Sequence, residues 1–241
     1  MAVSIDTVYQ RVLAILNKEQ RGYVTPQEFN LFANQAQLDI FEQYFYDINQ
    51  FGRMSGNDTE FSDMLNILNE KVAIFETRSN MTFVAPYWQP PADIYRMGTI
   101  ILGNAIPVRT TTPSFYSAEI ERVNYNEFIN IIQSPMTRPS KARPIYWESS
   151  LGYQIMADDF VTALVSCSYV KKPTKAEWAY QMVYGEALYD SDNTVDFELH
   201  PSEETELVIK ILEFAGLAIK DVQMYQIAAG MEAQTNQQEK S

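Results

Sequence analysis

Catalysis by this chain would have to come from very few side chains. His200 is the only histidine and Cys167 the only cysteine. A single imidazole removes every metal site that needs a second histidine, and every Ser-His-Asp or Cys-His arrangement that could use another one. His200 stands immediately before Pro201-Ser202, at the mouth of an expected helix, where a surface or capping role accounts for it. Cys167 lies in the strand-like run VTALVSCSYV and reads as a buried structural thiol, and a lone cysteine excludes any disulfide within the chain. The 9 glycines are scattered and form neither GxxxxGK[ST] nor GxGxxG, so no phosphate-cradling loop is present.

The acidic residues offer two further arrangements. Asp190-x-Asp192-x-Thr194-x-Asp196 has the alternate-oxygen spacing of a calcium loop, but the sixth position is Val195 instead of glycine and the twelfth is Pro201 instead of glutamate. It reads as a solvated loop. Asp158-Asp159 and Glu119/Glu121 are pairs of the kind a glycosidase uses, which needs two carboxylates at a set separation. Such pairs arise by chance in a chain with 31 Asp+Glu. The residue types therefore assign no catalytic, cofactor-binding or metal-binding side chain.

Net charge is −13, from 18 Lys+Arg against those 31 acids. A field of that sign opposes nonspecific binding of nucleic acid, which needs clustered cations to release counterions. It suits an acidic wall past which DNA slides. Lys171-Lys172 and Lys141-x-Arg143 are the only small basic clusters, and they read as local salt-bridge partners, with a subunit boundary as one place for them. The start, MAVSIDTVYQRVLAILNKEQR, lacks the basic region and unbroken apolar stretch of a signal peptide. No apolar run approaches the roughly 20 residues of a membrane span. A soluble protein made in a reducing cytoplasm is expected.

The elements that would position these residues follow from periodicity. Val8, Val12, Ile15 and Leu16 mark a first amphipathic helix, broken at Arg21-Gly22. Thr25-Pro26-Gln27-Glu28 is a capping box with proline at the first helical position. The helix it opens carries Phe29, Phe32, Ala33, Ala36, Ile40, Tyr44 and Ile48, and should stop near Phe51-Gly52. After SGNDT a third helix shows Phe61, Leu65, Leu68, Val72 and Phe75. The pattern then turns strand-like. Strands are expected over Met81–Pro86, Tyr95–Leu102, Ala105–Arg109 (turned at Gly103-Asn104), Glu119–Val123, Pro144–Trp147, Tyr153–Met156 (turned at Ser150-Leu151-Gly152) and Phe160–Val170. Gln89-Pro90-Pro91 breaks the first pair, Asn124 should cap the short helix NEFINIIQS, and Pro135, Pro139 and Pro144 mark an extended crossing. A last helix should begin at Ser202, with Glu203, Glu204 and Glu206 complementing its dipole, and kink or end at Gly216 before a further stretch, Ala218–Ala229.

These elements predict an α+β fold. The N-terminal helices (1–78) and a C-terminal segment (176–241, with a polar tail from about 231) would form one helical bundle, and residues 79–175 an inserted, mostly antiparallel β-domain. No internal repeat is visible.

Taken in order, several segments resemble the head-to-tail adaptor, or tail tubular, proteins of short-tailed bacteriophages. TVYQRVLAILN and EFNLFANQAQLDIFEQYF are similar to the family's opening helices, and PADIYRM to its entry into the β-region. VNYNEFINIIQSPMTRPSKARPIYW resembles the stretch where a short helix gives way to extended chain. YQIMADDFVTALVSCSYVKKPTKAEW is similar to the strand ending in Tyr-x-basic-x-Pro and a tryptophan, and DFELHPSEETELVIKILEFAGLAI to the closing helix signature. The resemblance spans most of the chain. It implies a virion structural protein and not an enzyme: a subunit of a homo-oligomeric ring, commonly of twelve copies, in the head–tail connector. Its partners would be the portal protein and neighbouring ring or tail proteins, with DNA passing through the channel without specific binding, no membrane and no cofactor. The alternatives are another virion or assembly component, such as a tail-completion protein, and a carboxylate-dependent cell-wall hydrolase.

A ring subunit needs large side-chain anchors, and 13% of the residues are aromatic. The interface candidates are Tyr44, Phe45, Tyr46 and Phe51 on the second helix and Tyr225 near the C-terminus. Trp147 and Trp178 read as core.

Overall fold

A computed structural model describes residues 3–18, 24–51, 58–103, 118–158, 161 and 164–219. Three helices come first: α1 (Ile5–Lys18), α2 (Pro26–Phe51) and α3 (Asp58–Ala73). Then follow β1 (Glu76–Asn80), β2 (Thr82–Val84), β3 (Tyr87–Gln89), β4 (Ile94–Leu102), β5 (Ala118–Glu119) and β6 (Glu121–Arg122). The helix α4 (Tyr125–Gln133) precedes β7 (Ile145–Ser149), β8 (Gly152–Met156) and β9 (Val165–Lys171). A hairpin of β10 (Tyr180–Val183) and β11 (Glu186–Tyr189) leads to a single 3-10 turn, Pro201–Glu203, and to α5 (Glu204–Ile219). The fold is α+β, and among the described residues every strand pair but β6–β7 is antiparallel.

The chain forms two compact units, residues 1–74 with 173–241 and residues 75–172. The β unit is thus inserted into the helical one, with its boundaries a few residues before the 79 and 175 read from the sequence.

In the helical unit α2 lies against α3 and α5, and α1 against α5. Its core stripe is Phe29, Ala33, Ala36, Ile40 and Tyr44, at three- and four-residue steps, joined by Phe41. Ile5, Val8, Tyr9, Val12 and Leu16 face it from α1, and Leu207, Ile211 and Ala215 from α5. Ile15, expected on the α1 stripe, is instead exposed, because Ile5 and Tyr9 turn the buried face one position away from it. The capping box forms as expected. Glu28 N–H donates to Thr25 Oγ1 (3.3 Å), and Thr25 N–H donates back to Glu28 Oε2 (2.9 Å). Those bonds to the charged carboxylate, the Thr25 backbone foremost, hold Glu28 below its ordinary pKa.

Three polar side chains on α2 do work that periodicity does not show. Asn30, Asn34 and Gln37 share one helix face, and each reads the extended segment that returns from the β unit. Asn34 accepts from Ala176 N–H (3.0 Å) and donates to Ala176 O (2.8 Å). Asn30 makes the same pair with Trp178, at 2.9 and 3.2 Å. Gln37 donates to Thr174 O (2.7 Å) and accepts from Glu198 N–H (3.3 Å). The amides stand where a neighbouring β-strand would, satisfying backbone groups that burial would otherwise orphan.

The start of the closing helix differs from the expectation. Ser202 sits inside the 3-10 turn, and His200 is the cap, its Nδ1 accepting from Ser202 N–H (3.2 Å). Glu203 is buried and not a solvated dipole partner: its Oε1 lies 2.6 Å from Lys71 Nζ on α3. Gly216 neither ends nor interrupts α5, which runs to Ile219. Residues 220–229 of the further stretch expected there, and the polar tail, lie outside the described residues.

In the β unit two sheets share one core. One has the order β1-β9-β4-β5, the other β2-β3-β8-β7-β6. Met81 joins β1 to β2 and Ile120 joins β5 to β6, so the chain changes sheet at two buried residues. Ile120 therefore splits the strand expected over Glu119–Val123. Between the sheets lie Trp88, Ile100, Tyr146, Tyr153, Ile155, Val165, Cys167 and Tyr169. Residues 76–78, assigned to the bundle from sequence, belong to the outer strand β1, whose polar side chains suit a sheet edge. Phe75, read as the end of the third helical stripe, lies beyond α3 and is fully buried. Strand β9 starts at Val165, later than expected, and Phe160 lies outside the described residues. So do Asn104 and the strand expected over Ala105–Arg109.

The β7–β8 turn needs Gly152: its φ is +126°, and a Cβ there would meet Trp88 O at 2.7 Å. Helix α4 covers β7 through Phe128 and Ile132, packed with Ile145, Met156 and Trp147. Asn124 precedes it in extended conformation without a side-chain cap bond.

Candidate functional site

The residues singled out for chemistry are mostly occupied in structural roles. Cys167 is buried on β9, with Sγ 3.7 Å from Ser79 O. Burial, helped by the Asp93 charge, pushes its pKa up to about 11, so the inert thiol predominates at neutral pH. His200, Ser202 and Glu203 are neighbours in space, but the Ser202 hydroxyl donates to Glu203 Oε1 (3.0 Å) and His200 Nδ1 takes the Ser202 N–H. Together with Lys71 this assembly closes the mouth of α5.

The calcium-like loop is a hydrogen-bonded turn. Asp190 Oδ2 accepts from Gln181 and Asn193 (2.9 Å each), and Oδ1 accepts from Asp192 N–H (3.1 Å). These bonds, that from Gln181 the largest, hold the Asp190 carboxyl below its usual pKa. Asp196 is used elsewhere: its Oδ1 accepts from Ile5 N–H (2.9 Å), capping α1 from the far end of the sequence. No cluster of three His, Cys, Asp or Glu suited to a metal occurs among the described residues.

Glu119 and Glu121 flank buried Ile120, are both exposed, and line one shallow groove of about 420 Å³ with Thr99, Arg122 and Tyr146. Arg122 pairs with Glu148 at 2.9 Å. Asp158 is exposed, and Asp159 lies outside the described residues. No described helix is long and apolar enough to cross a membrane.

The interface candidates separate. Tyr44 is 3% exposed and belongs to the helical core, with Lys71 Nζ 5.6 Å from its ring centroid. An aromatic so placed cannot anchor a second chain without unfolding its own. Phe45 is half-buried, its ring edge-on to Phe41 at 5.1 Å. Tyr46 is 60% exposed and stays available. Phe51 closes α2, but its side chain lies outside the described residues, as does Tyr225. Trp178 is buried as expected, and Trp147 is half-buried, donating to Gln154 Oε1 (2.7 Å).

Among the described residues, a group of exposed apolar side chains lies on a hairpin that the sequence did not suggest. Strands β10 and β11 pair Tyr180 with Tyr189, Gln181 with Leu188, Met182 with Ala187 and Val183 with Glu186. Directly opposed residues share a face, so Tyr180, Met182, Ala187 and Tyr189 form one side. At its root Trp178 stacks on Tyr180 and Tyr189 (5.9 and 5.6 Å) and on Tyr9 of α1 (4.2 Å), tying the ribbon to the helical core. An isolated two-stranded ribbon is marginally stable, and this anchoring holds it. Toward the tip the cover ends: Met182 is 65%, Leu188 62% and Tyr184 103% exposed.

The turn is Tyr184-Gly185, with φ of +53° and +89°, as a tight hairpin of the right twist requires. A tyrosine in the left-handed region is uncommon. The alternation QMVY–GEALY was the available signal, masked because the turn carries Tyr-Gly where Asn-Gly is usual. No protein-family model matches the chain, and no curated protein matches it.

Proposed function

We propose that this chain is a subunit of a ring in the head-to-tail connector of a tailed bacteriophage. On this reading it docks to the portal or an adjacent ring and borders the channel through which DNA passes. It is made in the host bacterial cytoplasm and resides at the head–tail junction of the virion.

The observation that carries the reading is the β10–β11 hairpin. A rigidly rooted ribbon presents Met182, Tyr184 and Leu188 to solvent, which is the composition of a protein–protein anchor and not of a soluble surface loop. Two further features agree. His200 and Asp196 are spent on caps, Asp190 on a turn, and Cys167 is buried in a strand. The charge of −13 suits a channel wall from which DNA must slide freely. The ordered segments from TVYQRVLAILN to the closing helix supply the family resemblance on which the word connector rests.

Mass spectrometry of purified phage particles tests the assignment. The chain is expected among the virion proteins at a stoichiometry of several copies per portal ring, and its absence from infectious particles would remove the proposal.

A further inference from the structure

Charge in this chain is segregated along the sequence. Between Lys175 and Lys210 there is no Lys or Arg and there are nine acidic residues; between Glu127 and Glu148 there is no acid and there are three cations, Arg138, Lys141 and Arg143. The first segment contains the β10–β11 hairpin, with exposed Glu186 beside its apolar tip and exposed Asp192 in the turn beyond its root. The second contains the loop of residues 135–144 in the β unit.

That loop is held in shape. Ser140 and Arg143 exchange backbone hydrogen bonds (3.3 and 2.9 Å), and Pro139 and Pro144 are buried. Arg138, Lys141 and Arg143 are all exposed, and none makes an ion pair with a described residue. Beside them Met136 is 96% exposed. Each surface thus combines an uncovered apolar tip with charges of one sign, and the signs are opposite.

From this complementarity we infer that the β10–β11 hairpin of one copy docks on the 135–144 loop of a second copy of this chain. The inference deepens the ring reading and rests on it. Two different surfaces meeting on identical chains make a head-to-tail contact, the kind that closes rings. Tyr184 and Met182 supply the apolar anchor, and Glu186 beside them, facing the three cations, sets the register. The uncommon tyrosine at the turn then has a role, since the left-handed position thrusts its ring beyond both strands.

The test uses two differently tagged preparations of the full chain, one carrying Tyr184→Cys and the other Met136→Cys, mixed under mild oxidation. Native Cys167 is buried and does not compete. A mixed disulfide dimer should form about tenfold faster than with Leu31→Cys, an exposed α2 control, in place of Met136→Cys. Arg138→Glu, Lys141→Glu and Arg143→Glu together should abolish that advantage, and adding Glu186→Lys on the other chain should restore part of it. Equal rates for the loop and the control would overturn the contact. The chain with the three reversed cations is also mixed with the portal protein of the same phage. If it still forms the ring-mass species undiminished, this contact is wrong and the ring reading survives. If the loop-specific disulfide forms but the unaltered chain gives no such species, the contact between copies stands and the ring reading falls.

Discussion

Replacing Asn34 by alanine tests whether the α2 amides substitute for a β-strand. The side chain holds both backbone groups of Ala176, at 3.0 and 2.8 Å, and Ala176 is 1% exposed. Two intramolecular hydrogen bonds contribute about 1 kcal/mol each, and leaving a buried N–H and C=O without partners costs about 1–3 kcal/mol per group that water cannot reach. Alanine returns up to about 0.7 kcal/mol through its higher helix propensity. The net loss is therefore at least about 1 kcal/mol from the bonds alone, and about 1–3 kcal/mol more for each group left dry, against less than about 0.5 kcal/mol for Gln35→Ala, whose side chain bonds Asp39 in an exposed pair. Urea denaturation of the helical unit reads the difference. Hydrogen exchange at the Ala176 amide locates it, because that amide should lose protection before the helices do, while the Trp178 amide keeps its bond to Asn30. If Asn34→Ala costs no more than Gln35→Ala and leaves the Ala176 amide protected, the segment is held by packing alone and the side-chain amides do not hold it.

Lys71→Met should destabilise the helical unit by about 3–5 kcal/mol, since it leaves Glu203 charged and buried; the double change with Glu203→Met should recover most of that in urea melts. Thr25→Ala should cost about 1 kcal/mol by removing one half of the capping box. The lowered Glu28 pKa makes that box a contribution present above the ordinary carboxylate range and lost as pH falls through the folded value. The gap between the thermal melts of Thr25→Ala and the unsubstituted chain should accordingly narrow in acid without closing, because only the Thr25 hydroxyl bond to the carboxylate titrates away while the Glu28 N–H bond to Thr25 Oγ1 does not. In the β unit the sign is reversed. Burial first, then Asp93 or Glu148, raises Cys167 to about 11 and Tyr153 and Tyr169 to about 12. Their neutral forms stabilise the fold below the unfolded values, and this stability is lost as pH rises through the folded ones. A urea midpoint that is unchanged between neutral pH and about pH 11 would contradict it. An aromatic disulfide reagent should leave Cys167 unmodified until urea opens the β unit.

What the sequence disclosed was local, and what it withheld was tertiary. Thr25 and Glu28 are three residues apart and meet by helix geometry alone, so the capping box was legible. The β7–β8 hairpin was legible because Gly152 sits where only glycine fits. Asn30, Asn34 and Gln37 looked like ordinary polar helix positions, since their partners at 174–178 and 198 are more than a hundred residues away. Asp196 capping α1 escaped for the same reason. Strand β1 went unread as a strand because ETRSN has no apolar alternation, which an outer strand does not need. His200 displaced Ser202 as the cap because an imidazole nitrogen accepts as readily as a hydroxyl once the chain is turned toward it. Tyr44 fits an anchor by type, and only its burial shows that it serves its own core.

The central claim, that copies of this chain assemble into a connector ring, is met most directly by mass photometry of the purified chain alone and mixed with the portal protein of its phage. The account predicts a portal-dependent species whose added mass is a whole multiple of the subunit's 27.7 kDa, near twelve copies, absent when either component is measured by itself. A chain that remains monomeric in both samples, with the portal peak unshifted, would contradict it.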